Sequence, residues 1–210
     1  MAAHPDVPNI NRGRTLRNLR ARFAYPFWLI GGRPPPDNHV HKVKRIRALG
    51  RKFGCETFIE TGTFFGQTVA AVHRQFVKTF SVELSPELHR GNEIAFQRIR
   101  GVKIFRGDSS AMLDQMIRES TGRILYWLDG HYSGGVTAKG TEITPIFEEM
   151  ETIKQHKRFD DCILIDDLRL FTGHHGYPLI AEVKNRIARL SPNYEITVDR
   201  DCLMALPRRY

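Results

Sequence analysis

Three aspartates have the type and spacing to do chemistry together. Asp129 lies in Trp127-Leu128-Asp129-Gly130-His131, and the other two form the pair Ile165-Asp166-Asp167. Each follows an apolar run of strand character, ILYWL (124–128) and CILI (162–165). If those strands are neighbours, three carboxylates crowd one point and raise each other's pKa. A hard divalent cation relieves that conflict, and an all-oxygen ligand set selects Mg²⁺, Mn²⁺ or Ca²⁺. A plainer reading gives the three separate duties: Asp129 for a ligand ammonium, Asp166 as a helix cap and Asp167 in solvent. His131 follows two residues after Asp129. It is either a general base suited to neutral pH or a hydrogen-bonded strand-end residue.

A second set precedes these. A strand-like run ends in Glu60-Thr61-Gly62-Thr63-Phe64-Phe65-Gly66 and leads into a helical pattern. Two glycines between a strand and a helix permit a tight turn and close approach of a ligand, with unpaired N–H groups at the helix start behind them. The next strand ends in Glu83, about 20 residues further on, where a carboxylate can accept hydrogen bonds from a ribose diol. The third ends in Gly107-Asp108-Ser109, able to take an adenine amino group. A nicotinamide site shares much of this, but its fingerprint has three glycines and Glu60 stands at the first position.

With these residues in order, the chain resembles the class I S-adenosylmethionine-dependent methyltransferases. Their acidic-x-Gly-x-x-x-Gly motif is matched by Glu60, Gly62 and Gly66, their acid closing strand two by Glu83, and their Asp after strand three by Asp108. The resemblance covers residues 56–206. It implies a cofactor site of Glu60, Gly62, Thr63, Gly66, Glu83, Asp108 and Ser109. Asp129, Asp166 and Asp167 are similar to the Mg²⁺ ligands of metal-dependent O-methyltransferases of the catechol and macrolide-sugar types. There the metal lowers the pKa of a substrate hydroxyl, and the oxyanion attacks the methyl group. The sugar-modifying enzymes tend to carry a second acid where this chain has His131. The expectation is a Mg²⁺-assisted O-methyltransferase of a hydroxylated small molecule or a sugar or glycan, with Asp129 and His131 at the reaction. Two other readings are carried with it: a non-catalytic methyltransferase-like binding module, and a nucleic-acid methyltransferase. The absence of an Asn-Pro-Pro-Tyr motif after strand four lowers the latter. His174 and His175 are either substrate contacts or surface residues; Arg169 either clamps an anionic substrate or pairs with a carboxylate.

The elements that must position these residues alternate. Strand-like runs at 57–61, 80–84, 102–106, 124–129 and 162–166 are separated by helical patterns, among them 66–77, 142–157 and about 177–190. Ser85-Pro86 starts one helix, and Ser109 or Ser110 caps another. Runs 194–198 and 202–206 form a terminal hairpin. Alternation means right-handed crossovers and a mostly parallel sheet. The expected fold is α/β: a Rossmann-like three-layer sandwich, seven strands, mostly parallel, with an antiparallel C-terminal hairpin. The glycine-rich loop 130–141 has the composition of a lid.

Residues 39–210 form that domain, and 1–38 a basic, aromatic arm. Of 32 basic and 23 acidic residues, 1–54 hold 12 and 2, a charge of +10, leaving 20 and 21 for the rest. Helical spacing of Leu16, Leu19 and Phe23 among arginines (12–22) precedes an apolar run broken by Pro26. Its partner is an anionic membrane surface, nucleic acid or the body itself. The run is short and proline-broken, which argues against a signal peptide. No stretch reaches the ~20 apolar residues needed to cross a bilayer. Three cysteines without C-x-x-C spacing give neither a disulfide framework nor a zinc motif, so a reducing cytoplasm is expected, with contact at the inner face of a membrane through the arm. A homo-oligomer is compatible with this composition.

Overall fold

A computed structural model describes residues 9–130, 144–156 and 160–208. Two helices open the chain, α1 (Ile10–Ile30) and α2 (His39–Phe53). Strands and helices then alternate: β1 (Cys55–Thr61), α3 (Gln67–Val72), β2 (Lys78–Glu83), α4 (Pro86–Phe96), β3 (Val102–Arg106), α5 (Ser109–Arg118), β4 (Arg123–Leu128), α6 (Ile146–Gln155), β5 (Cys162–Ile165), α7 (Ile180–Ala188), β6 (Tyr194–Asp199) and β7 (Cys202–Pro207). The seven strands form one sheet in the order β3-β2-β1-β4-β5-β7-β6. β1 to β5 pair in parallel, and β7 enters antiparallel between β5 and β6. This is the three-layer, seven-stranded sandwich with a C-terminal antiparallel hairpin that the alternation implies.

The central strands are apolar on both faces because both faces are covered. Along β4, Ile124, Tyr126 and Leu128 pack with Leu113 and Met116 of α5, Met150 of α6 and Val183 of α7. Leu125 and Trp127 point the other way, onto Val43 and Ile46 of α2 and Val72 of α3. A smaller cluster of Val69, Phe96 and Ile104 closes the α3–α4 edge. Cys55, Cys162 and Cys202 are free and buried.

Three local differences from the sequence patterns have clear causes. The expected helix 66–77 stops at Val72 and continues as a 3-10 turn, His73–Gln75, leaving Val77 exposed rather than on the apolar stripe. The cap of α5 is Asp108, whose Oδ1 accepts from the Ser110 amide, not Ser109 or Ser110. α1 runs unbroken through Pro26 to Ile30. Proline costs an interior helix one hydrogen bond. Here the last turns are held from outside: Trp28 Nε1 donates to the Pro34 carbonyl (2.7 Å), and the Trp28 ring packs against His41 of α2 at 5.1 Å. Ser85 caps α4 as expected, accepting from the Leu88 amide.

Gly66 shows why the first loop demands glycine. Its φ is +66°, and a Cβ there would stand 2.5 Å from Asn92 Oδ1 and 2.7 Å from the Phe96 ring of α4. Gly66→Ala therefore costs strain and overpacking together, about 2–4 kcal/mol. Gly32→Ala, at φ +81° with nothing within 4 Å of the added carbon, costs the strain alone. Comparing the two thermal melts checks this; equal losses would contradict a packing role for Gly66.

Candidate active site

Strand order reverses between β1 and β4, which are neighbours although the chain visits β2 and β3 between them. A crevice opens at such a switch point, outside the carboxyl ends of the strands. Gly62, at φ +91°, lies so close to β4 that a Cβ would meet the Asp129 carbonyl at 2.8 Å. Thr61 Oγ1 ties the same tips together by accepting from the Asp129 and Gly130 amides, both at 3.1 Å.

On the β1–β3 side the expected cofactor residues stand at adjacent strand ends, each held by its own hydrogen bonds. Glu83 closes β2, and its carboxylate accepts from the Phe64 amide (2.7 Å) and the Ser85 amide (2.9 Å). Burial raises its pKa against those bonds. Ser81 Oγ donates to Glu60 Oε2 and shares a further hydrogen bond with Thr63 Oγ1, each at 2.7 Å. Glu60 is buried, which pushes its carboxyl up to about 8 despite the hydroxyl donors. Ser109 Oγ donates to Glu149 Oε1 at 2.6 Å. Burial likewise lifts Glu149 to about 7. Asp108 spends Oδ1 on its cap, taking the Ser110 amide and hydroxyl. The two motif glycines are held to glycine by protein neighbours: Gly62 by β4, Gly66 by α4.

On the β4–β5 side, Asp129, Asp166 and Asp167 offer ligand oxygens that all lie within 4.8 Å of one another. Lys42 of α2 reaches into this cluster, donating to Asp166 Oδ2 and, at 3.2 Å, to Asp167 Oδ1. Burial works to lower the Lys42 pKa; Asp166, Asp129 and Asp167 outweigh it and hold the ammonium well above its ordinary value. Burial and then Asp129 push the Asp166 carboxyl up. A buried ammonium in contact with a carboxylate rests as an ion pair. Arg169 joins Asp167 (2.8 Å) to the buried Asp201, so it pairs with carboxylates. Four carboxylates thus face two cations. Asp166 Oδ1 is buried and has no hydrogen-bond partner among the described residues. The excess charge, the oxygen donors and this orphaned oxygen fit a hard cation. The separate-duties reading fails in part: Asp166 caps no helix and Asp167 is ion-paired, not solvated.

α2 is locked so that Lys42 points inward. Arg45, three residues on and on the same face, bonds the buried Asp37 at 2.7 Å and Asp199 of β6 at 2.8 Å. His39 sits one turn before Lys42; burial and then Lys42 hold its imidazole down to about 4, so it is neutral, and its Nε2 has no hydrogen-bond partner among the described residues. Lys42, His39 and Glu149 were not singled out by the sequence. The only signal for Lys42 was its place among the bases Lys44, Arg45 and Arg47. His131 and most of the loop 130–141 lie outside the described residues. His174 and His175 are exposed.

No protein-family model and no curated protein matches the chain. Solved structures do. An O-methyltransferase from Bacillus cereus in complex with S-adenosylhomocysteine aligns with a TM-score of 0.63 at 14 % identity, over 99 % of this chain and 93 % of its own. The O-methyltransferase TomG of Streptomyces achromogenes, in complex with S-adenosylmethionine, aligns at 0.56 and 15 %, over 89 % and 88 %. The N-methyltransferase NodS of Bradyrhizobium japonicum aligns at 0.52 and 11 %, over 79 % and 84 %. The chain has the fold of these methyltransferases. That both oxygen and nitrogen acceptors occur among them leaves the acceptor to the site.

Two outcomes follow from the buried charges. An unfolded glutamate ionises near pH 4.5, whereas folded Glu60 and Glu149 keep their protons to about 8 and about 7. Between those limits the folded state binds more protons, so stability falls as pH rises from about 5 to 8. Glu60→Gln flattens that slope in melts taken across the range; an unchanged slope would contradict the assignment. Lys42→Met strands buried carboxylates and lowers stability by about 3–5 kcal/mol, read by denaturant titration.

Proposed function

We propose that this protein is an S-adenosylmethionine-dependent O-methyltransferase, probing for its acceptor a hydroxyl on a small molecule or glycan at the tips of β4 and β5. The observation that carries the reading is the meeting of two half-sites at one switch point, where Gly62 touches the backbone of Asp129. One half has the glycine turn, Glu83 and Asp108; the other has three converging carboxylates. The alignment with a structure holding S-adenosylhomocysteine supports the first half as a cofactor edge.

In this reading Glu83 receives the ribose hydroxyls, using lone pairs left beside its two backbone bonds. Asp108 and Ser109 border the adenine, and Thr63 with the Gly62–Gly66 turn borders the methionine part. Glu60 braces that turn from beneath through Ser81 and Thr63. Asp129, Asp166 and Asp167 would hold Mg²⁺ or another hard divalent cation, which supplies a lowered hydroxyl pKa when bound. Lys42 balances the same carboxylates and keeps them in place when acceptor is absent. Methyl transfer is a direct displacement, so the chain contributes alignment and charge placement, with no covalent intermediate. His131, in the loop beyond Gly130, is the imidazole assigned to receive the hydroxyl proton.

The deciding experiment is a melt with S-adenosylhomocysteine, with and without Mg²⁺. Ligand at about a hundred times its dissociation constant adds roughly 2.7 kcal/mol, a rise of about 5–10 °C for a chain this size. No rise in either condition rejects the cofactor. Asp129→Asn lowers turnover by about 10²–10³-fold while that rise persists. Turnover that survives both Asp129→Asn and a chelator would reject the carboxylate role, and cofactor binding with no turnover on any hydroxyl acceptor would point to a binding module.

A further inference from the structure

Helix α1 has two faces with opposite surroundings. Its inner face is engaged by the body. Arg14 lies over the Phe96 ring at 4.9 Å and Arg17 over the Phe64 ring at 4.6 Å. Asn18 accepts from Gln67 Nε2, and the Ala21 carbonyl accepts from Asn38 Nδ2. On the opposite side Leu16, Leu19, Phe23, Phe27 and Ile30 recur every three or four residues, which makes one continuous stripe. They are exposed by 49, 45, 75, 77 and 86 %. Single exposed apolar residues are ordinary, but a run of five along one helix marks a contact surface.

The surrounding charge says what covers it. The helix contains no acidic residue. Arg12, Arg20 and Arg22 are exposed along the stripe and pair with no carboxylate among the described residues. The excess of +10 in residues 1–54 belongs to this end of the molecule, while the rest is near neutral. A second copy of the same stripe would set arginine against arginine. A nucleic-acid duplex would take the arginines and leave the phenylalanines in water, and a single strand would stack on the aromatic rings but leave Leu16, Leu19 and Ile30 exposed. An anionic lipid surface satisfies both, because headgroups meet the guanidinium groups and the acyl boundary takes the aromatic and aliphatic side chains. Among the described residues no helix is long and apolar enough to cross a membrane, so α1 would lie in the surface plane.

We propose that α1 is an interfacial docking helix which lays Leu16, Leu19, Phe23, Phe27 and Ile30 into an anionic bilayer. Because its inner face rests on Phe64 and Phe65 in the loop after β1, docking holds the strand-tip edge about one helix diameter (~10 Å) from the headgroups. On the methyltransferase reading, and only there, this points to an acceptor hydroxyl carried by an amphiphile at the membrane surface. The docking itself does not need that reading.

The test is sedimentation of the full chain with vesicles of phosphatidylcholine alone and of phosphatidylcholine mixed with phosphatidylglycerol. The wild type sediments with the anionic vesicles, and added salt weakens this. The double variant Phe23→Glu/Phe27→Glu loses at least about tenfold in partitioning, since two aromatic insertions are removed. Its melt and its response to S-adenosylhomocysteine match the wild type, because both side chains project away from the body. Failure to bind anionic vesicles, or equal partitioning of the variant, overturns the proposal. So does a lipid-free dimer by light scattering that the variant dissolves, which would make the stripe a contact between copies. Salt-sensitive RNA binding without vesicle binding would assign the arginines to nucleic acid instead. A failed cofactor melt beside successful vesicle binding would reject the methyltransferase reading and leave the docking intact.

Discussion

Three carboxylates at the ends of two adjacent strands cannot share one point without a counter-charge. That constraint organises the N-terminal third of the molecule. Lys42 meets Asp166 and Asp167, and α2 is held against the sheet edge so that it can. The Arg45 clamp on Asp37 and Asp199 fixes the same helix at a second place one turn later, on the far side of the inserted β7. Val43 and Ile46, between and beside these cations, bury against Leu125 and Trp127. The helix is thus oriented by charge and seated by apolar area. Neither would do both, since apolar packing tolerates rotation and an ion pair alone adds little net stability.

The balance at the cluster is incomplete, and the incompleteness has chemical meaning. Lys42 and Arg169 offset two of four carboxylates, and one buried oxygen of Asp166 has no hydrogen-bond partner among the described residues. A fully neutralised cluster would be a structural ion pair and nothing more. A residue of negative charge in a crevice draws a cation, a hydroxyl proton or a ligand ammonium. Perturbed carboxyls beside a switch point are the physical basis for proposing a reaction there.

The opposite half of the crevice works by shape. Gly62 and Gly66 both occupy the left-handed region, and the neighbours that exclude a side chain are Asp129 and the pair Asn92 and Phe96. The glycines bring β1 against β4 and the loop against α4. Close packing of the loop is what aims the Phe64 amide at Glu83. Cofactor geometry, on this view, is set by how tightly the protein closes on itself around the turn. α1 then covers the loop from outside, stacking its arginines on Phe64, Phe65 and Phe96.

Much of this was legible in the residue order. Alternation of β-rich runs with helical spacings dictates crossovers, and two runs joined by Asp199-Arg200-Asp201 dictate a hairpin, so the sheet and the strand-end positions of Glu60, Glu83, Asp108, Asp129 and Asp166 follow from local patterns. The three aspartates were legible because like charges at strand ends are a chemical anomaly. Lys42 was not, because its 124-residue separation from Asp166 leaves no local trace on a helix already rich in bases. The partners that hold Gly62 and Gly66 also had no local signature. Those partners lie across the fold, in the backbone after β4 and in the side chains of α4, whereas the Asp108 cap on Ser110 and the Trp28 bond to Pro34 are contacts between residues close in the chain. Sequence determined the elements and the acids at their ends, since periodicity and residue type are properties of the chain. Only tertiary structure decided which cation meets those acids and which face of α1 is left bare, since both depend on distances between residues far apart in the chain.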